Sequence, residues 1–307
     1  MEQVWSPSSW KSKPLAQEVT YPDTEALAAA LAELSALPPL VTSWEVERLK
    51  AECAEAAEGR RFVLQGGDCA ERLEDCRSES IVARLKVLLK MSILILYGAS
   101  KPVTRVGRFA GQYAKPRSSD TETRDGVTLP AYRGQLFNKS DFTLEARTPD
   151  PTLLLQAYRQ SALTLNFIRS LVEGGFANLH HQEIWEMGYL DQAQLPEEVR
   201  AIAGSVQKSV RFMETLLGHP LTELERVNFY TGHEGLNLDY EMAQTRHVPR
   251  REGWYDLTTH FPWIGERTRQ LDGAHVEFFR GIANPVGVKV GPNLTGEEAV
   301  ALCRTLN

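Results

Sequence analysis

"RFVLQGGDCAE" (61–71) opens on a short apolar run, closes on paired glycines, and then releases Asp68, Cys69 and Glu71 in quick succession. That texture reads as a β-strand ending in a polar loop. It returns along the chain in "PVTRVGR" (102–108), "RVNFYTG" (226–232), "WYDLTTH" (254–260) and "VGVKVGP" (286–292). Between these runs lie longer helical patterns, near 79–97, 150–173 and 197–217. Strands separated by helices predict a parallel sheet with right-handed crossovers, its Val-rich strands covered on both faces. The fold class expected is therefore α/β.

Polar and charged residues gather where these runs end: Asp68 and Cys69, then Arg108, His233 and Glu234, Glu266 and Arg267, and Lys289. In parallel α/β folds ligands bind at the carboxyl ends of the strands. Residues 101–117 hold Lys101, Arg105, Arg108, Lys115 and Arg117 with no Asp or Glu, in a chain of formal charge −6. Arginine forks suit carboxylate or phosphate oxygens, and lysine adds a compact charge. Gly107 and Gly111 are expected to let backbone approach a ligand closely, with Pro116 stiffening the turn. An ammonium inside a short apolar strand, as at Lys289, is costly unless it meets an anion. Together these features point to a small anionic ligand, against the blander reading of a solvated basic loop.

The rest of the chain sets bounds. Its 307 residues are 42% hydrophobic and 24% charged, ordinary for a folded protein. The mild acidic excess gives no reason to expect nucleic acid or a membrane surface as partner. The most apolar stretch, "MSILILYGAS" (91–100), is about half the length of a bilayer span. The N-terminus lacks a basic start followed by an apolar run, so no signal peptide is expected and the expected compartment is the cytoplasm. Cys53, Cys69, Cys76 and Cys303 form no C-x-x-C pair. Cys69 beside a tight turn is either a small core residue or a thiolate ligand for a divalent metal. His180 and His181 in "HHQE" (180–183) lack the spacing of a zinc helix and read as structural. Residues 1–60 read as a helical extension, with helices at 24–37, begun by Thr24 and Glu25, and 43–58.

Taken together, "WSPSSWKSKP", "FVLQGGDCAE", "KPVTRVGRFAGQYAKPRSSDTETRDGVTLPAYRG", "WIGERTRQLDGAHVEFFRG" and "ANPVGVKVGPN" resemble the type II (plant-like) 3-deoxy-D-arabino-heptulosonate 7-phosphate synthases, from residue 5 to 293 and in family order. The resemblance implies a (β/α)8 TIM-type barrel, a metal-dependent transferase, and condensation of phosphoenolpyruvate with D-erythrose 4-phosphate as the first step of the shikimate pathway. It implies that Arg108, Glu266, Arg267 and Lys289 line the phosphoenolpyruvate site, with Arg108 and Lys289 catalytic. Lys115, Pro116, Arg117 and Ser118 would serve the aldose phosphate. Cys69 would ligate manganese or cobalt, which would act as a Lewis acid on the aldehyde. An aromatic amino-acid effector and a homo-oligomer are implied as well.

Three departures stand out. The family reads Arg-Gly-Asp where this chain has Arg133-Gly134-Gln135, and Ser-His-Glu-Ala-Leu where it has "GHEGL" (232–236). The third is that "EEAVALCRTLN" follows the fifth strand, where the resemblance implies three more strands with another phosphate-binding arginine and a histidine, a glutamate and an aspartate as metal ligands. The expectation is thus a barrel with about five strands, formed by 61–307, with a helical insertion after the second strand at about 139–224. Such a piece is expected to fold poorly and to be inactive alone. The competing expectation is a non-catalytic binding or regulatory homologue.

Overall fold

The computed structural model describes residues 4–174 and 228–307, with Ser205, Lys208, Phe212, Thr215 and Leu216 between them. The helix expected near 197–217, apart from those five helical residues, the His180–His181 pair and the first residues of the expected third strand lie outside the described residues.

The chain opens with a short 3-10 turn, Ser9–Ser12, and two helices, α1 (Thr24–Ala36) and α2 (Ser43–Ala57). Asp23, the residue ahead of Thr24 and Glu25, caps α1: its carboxylate accepts from the Ala26 N–H at 2.8 Å. Thr42 and Glu45 form a reciprocal capping box on α2. Next come β1 (Phe62–Gly67), α3 (Ser78–Ala99), β2 (Val103–Arg108), a hairpin of β3 (Thr121–Arg124) and β4 (Val127–Pro130), α4 (Leu144–Arg147) and α5 (Thr152–Glu173). After the undescribed stretch follow β5 (Phe229–Glu234), α6 (Leu238–Ala243), β6 (Thr245–His247), β7 (Trp254–Asp256), β8 (Phe261–Ile264), α7 (Ala274–Phe279), β9 (Gly287–Val288) and α8 (Gly296–Leu306).

The main sheet has the order β1-β2-β5-β8-β9 and every pairing in it is parallel. It is a curled half-barrel: the α/β texture predicts the parallel sheet, and the family resemblance implies its barrel curvature. Register matters for function: Gly67 lies opposite Arg108, Glu234 opposite Trp263, and Ile264 opposite Val288. All the carboxyl ends therefore open onto one rim.

The fourth strand is displaced from its expected place. "WYDLTTH" (254–260) is not a strand of the main sheet; β7 pairs antiparallel with β6 in a separate ribbon, and β8 takes the fourth place. Buried Asp256 explains the break. Its Oδ1 accepts from the Thr258 N–H at 3.0 Å and lies 2.6 Å from the Thr258 hydroxyl, while the Asp256 N–H donates to Asn284 Oδ1 at 2.9 Å. Such side-chain bonds compete with a ladder and turn the chain.

Packing joins the N-terminal helices to the sheet. Leu34 of α1 shares a core with Leu154 and Leu165 of α5, Tyr113 and Leu236. Leu85 and Leu88 of α3 pack with Leu64, Val103, Phe109 and Ile168. Trp10 lies with Ile264, Phe278 and Leu302. Strand β1 is an edge, and Phe62 and Val63 on it are exposed together with Val87, Met91 and Leu94 of α3. Among the described residues no helix is long and apolar enough to cross a membrane.

His275 of α7 is buried, and its Nε2–H donates to the Leu236 carbonyl at 3.2 Å, pinning the loop that leaves β5. Burial pushes its pKa from 6.5 down to about 4, against the opposing pull of Leu236 and Glu241. The unfolded chain therefore binds the extra proton first, so this contribution to stability is whole above pH 6.5 and drains away as pH falls towards 4. The full span is worth about 3 kcal/mol. Urea titrations across this range should show stability falling with acid and a shallower fall in His275→Gln; equal slopes in the two proteins would contradict the assignment.

Candidate active site at the carboxyl ends of the strands

At the centre of the rim is Glu234, the last residue of β5. It is buried, and its Oε1 has no hydrogen-bond partner. Burial raises its pKa, and the charges that oppose the rise are those of Lys289, Arg108 and Arg267, with a hydrogen bond from the Trp263 indole. Three cations that follow or end different strands thus face one carboxyl group. Gly265 makes the room: a Cβ there would lie 2.0 Å from Glu234 Oε1.

Each cation is held differently. Arg108 ends β2, donates from its guanidinium to the Cys69 carbonyl at 3.1 Å, and lies 4.9 Å over the Trp263 ring. Its Nε is buried and unpartnered. Lys289 follows β9, where its backbone N–H donates to the Ile264 carbonyl at 2.8 Å; its side chain is exposed. Arg267 is exposed on the 3-10 turn Glu266–Thr268 just past β8. Glu266 packs against Gly291, where a Cβ would lie 1.8 Å from its Oε1.

The other cations of the 101–117 cluster divide. Arg105 points away from the rim, its Nε donating to Ser92 Oγ of α3 at 2.7 Å, with burial pushing its pKa down to about 10. Lys101 is exposed ahead of β2, at the opposite end of the strand. Neither joins the site. Lys115 and Arg117 line a second cavity, of about 480 Å³, beside the β3–β4 hairpin. Pro116 is half-buried and Ser118 is exposed on the same loop.

Gly107 and Gly111 serve packing, not ligand approach. A Cβ at Gly107 would lie 2.5 Å from the Phe229 ring, and one at Gly111 2.5 Å from His233 Nδ1. The loop around Gly111 is closed by protein. Ala110 takes a φ of +63°, and the N–H groups of Ala110, Gly111 and Gln112 converge on the buried Glu71 carboxylate at 3.0, 2.9 and 2.8 Å. This is an anion nest filled by the chain's own side chain. Gln112 continues the brace, its Oε1 accepting from the Glu234 N–H at 2.9 Å.

The donors for a metal do not assemble. Cys69 is exposed, but His233 is buried and paired with Glu241 Oε1 at 2.9 Å. Asp68 bonds Arg84 at 2.8 Å. Among the described residues no three His, Cys, Asp or Glu side chains cluster so as to hold an ion, whereas a catalytic metal needs about three protein ligands. Of the metal donors that the resemblance implies, the described residues supply Cys69.

The departures noted in sequence are accommodated locally. Gln135 Oε1 accepts from the Leu73 N–H at 2.6 Å and its Nε2 donates to Glu74 at 2.8 Å. Beyond Gly235 the Phe279 ring takes up the space, 2.3 Å from where an alanine Cβ would sit.

A model of the Class-II DAHP synthetase family matches residues 5–307. The chain belongs to that family. It is 46% identical over 300 residues to a phospho-2-dehydro-3-deoxyheptonate aldolase of Streptomyces coelicolor, an alignment covering 98% of this chain and 66% of that protein. It is 43% identical over 317 residues to a protein of the same name from Neurospora crassa, covering 99% of this chain and 66% of the relative. The chain thus spans just under two thirds of the length of these two relatives.

Glu234 is the residue that the sequence reading left without a role. The available signal was its position as a lone carboxylate closing "NFYTGHE".

Removing the Glu71 carboxylate leaves three buried backbone donors unpaired. Glu71→Ala should cost about 2–4 kcal/mol, read as a shift of the urea midpoint with unchanged slope. A midpoint within error of the parent would show that the nest does not brace the rim.

Proposed function

We propose that this protein condenses phosphoenolpyruvate with D-erythrose 4-phosphate to 3-deoxy-D-arabino-heptulosonate 7-phosphate, consuming water and releasing inorganic phosphate. The observation that carries the reading is that Lys289, Arg108 and Arg267, from three strand ends, all act on the buried Glu234 carboxyl group. Membership of the Class-II DAHP synthetase family supports the same reaction.

Phosphoenolpyruvate offers a carboxylate and a phosphate on a small rigid frame. Arg108 is already oriented by the Cys69 carbonyl and the Trp263 face, so its planar fork can bind an oxygen pair with little loss of freedom. Lys289 and Arg267 add charge from the neighbouring strand ends. Because Arg108 is fixed by the fold before substrate arrives, it stabilises charge without reorganising. Glu266 stands at the same rim beside Gly291.

Lys115, Pro116, Arg117 and Ser118 take the phosphate of the aldose. The two anions repel, and separate cation sets on a common rim hold them so that the enol carbon meets the aldehyde carbon. The new carbon–carbon bond forms there, and the enol oxygen's phosphate departs as inorganic phosphate. Enzymes of this family use a divalent metal, for which manganese or cobalt is the proposed choice and Cys69 the proposed thiolate. Orientation and charge are the contributions assigned to the residues described.

The test is phosphate release by the protein supplied with both substrates and manganese. Release should require the aldose phosphate, and Arg108→Ala or Lys289→Ala should lower kcat/KM for phosphoenolpyruvate by about 100-fold or more. Release that proceeds without the aldose, or that survives both substitutions, would overturn the reading.

A further inference from the structure

The hairpin cavity has a feature that substrate binding alone does not explain. Its lining includes Lys115, Arg117, Arg124 and Arg147, four cations, with Glu122 as the single carboxylate. Glu122 lies on β3, and both its oxygens are engaged. Oε1 accepts from Arg117 at 2.6 Å and from the Tyr132 N–H at 3.4 Å; Oε2 accepts from Arg147 at 3.0 Å and Arg124 at 3.2 Å. No oxygen is left to face a ligand squarely.

Arg147 makes that carboxylate immobile. It is buried, and its remaining N–H groups donate to the carbonyls of Asp141, Ser140 and Pro130 at 3.0, 3.0 and 3.2 Å. Arg117 is also fixed at its backbone, where the N–H donates to Gln17 Oε1 at 2.7 Å. A guanidinium held at both ends keeps its outward N–H groups aimed, and the cation excess leaves the cavity attractive to an anion.

We infer that Glu122 is a positioning residue: from the hairpin it aims the Arg117 guanidinium, and so sets the affinity for the phosphate of the aldose substrate without touching it. This rests on the reading above that Arg117 binds that phosphate. Glu122 acts through Arg117, so its effect must vanish when Arg117 is absent. Were Glu122 instead to compete with phosphate for Arg117, neutralising it would strengthen binding.

A double-mutant cycle separates these outcomes. Erythrose 4-phosphate and phosphoenolpyruvate are titrated calorimetrically in separate experiments, each without the other so that no condensation occurs, onto the full chain of the parent, Glu122→Gln, Arg117→Ala and the double variant. Glu122→Gln should weaken erythrose 4-phosphate binding about five- to tenfold and leave phosphoenolpyruvate affinity unchanged, with Glu122→Asp recovering part of the loss. In the Arg117→Ala background, Glu122→Gln should add less than about twofold. Should Glu122→Gln lose its cooperative thermal transition, Glu122→Asp carries the same cycle. Tighter binding in Glu122→Gln, an equal loss for both substrates, or an undiminished loss in the Arg117→Ala background would overturn the inference. Parent-like affinity in Arg117→Ala alone would overturn the underlying assignment of Arg117 instead.

Discussion

A carboxylate buried among cations at the tip of β5 organises this molecule. Glu234 is removed from water, which by itself favours its neutral form; Lys289, Arg108 and Arg267 oppose that with positive charge. The balance exists only because the strands run parallel in one register, so that residues far apart in sequence end on the same rim. A glycine at 265 is part of the same constraint, since any side chain there would occupy the space of the Glu234 carboxyl group. Placing an anion among these cations satisfies charges that the resting protein meets only in part.

Behind the rim, the loop after β2 acts as an internal brace. Glu71 gathers the N–H groups of residues 110–112, and Gln112 passes the connection on to the Glu234 backbone. That single loop fixes Arg108 before it and Lys115 after it. A deeper chain runs through His233, Glu241, Thr258 and Asp256. The Thr258 hydroxyl lies 2.6 Å from both a Glu241 and an Asp256 oxygen but has one proton to give, so one of the two carboxyls carries a proton of its own. Burial, reinforced by the charge of Glu241, raises the Asp256 pKa well above the carboxylate range. It is the member that holds the proton.

Much of the architecture was legible before any coordinates. Short Val-rich runs ending in glycine announced β1, β2 and β9, and charged residues at their ends announced the rim. The fourth strand was misplaced because "WYDLTTH" looks extended, while nothing in it reveals that Asp256 would be buried and bonded to Thr258 and Asn284. Arg105 and Arg108 are three apart in one basic segment; only the strand's orientation sends the first to Ser92 and the second to the rim. Gly107 and Gly111 signalled close approach correctly, but the neighbours are Phe229 and His233, partners more than 120 residues away. Glu234 and Glu71 were noted at strand ends but given no role for the same reason: their importance lies in burial and in contacts made across the sheet.

The central claim is that phosphoenolpyruvate shares its cations with Glu234. An anion bound by those cations draws on the same positive charge and must raise the proton affinity of the Glu234 carboxyl further. Calorimetric titration of phosphoenolpyruvate at a series of fixed pH values, in buffers of different ionisation enthalpy, measures this directly. The account predicts proton uptake on binding in the parent protein and its loss in Glu234→Gln. Binding whose enthalpy is independent of buffer at every pH, or uptake that persists in Glu234→Gln, would contradict it.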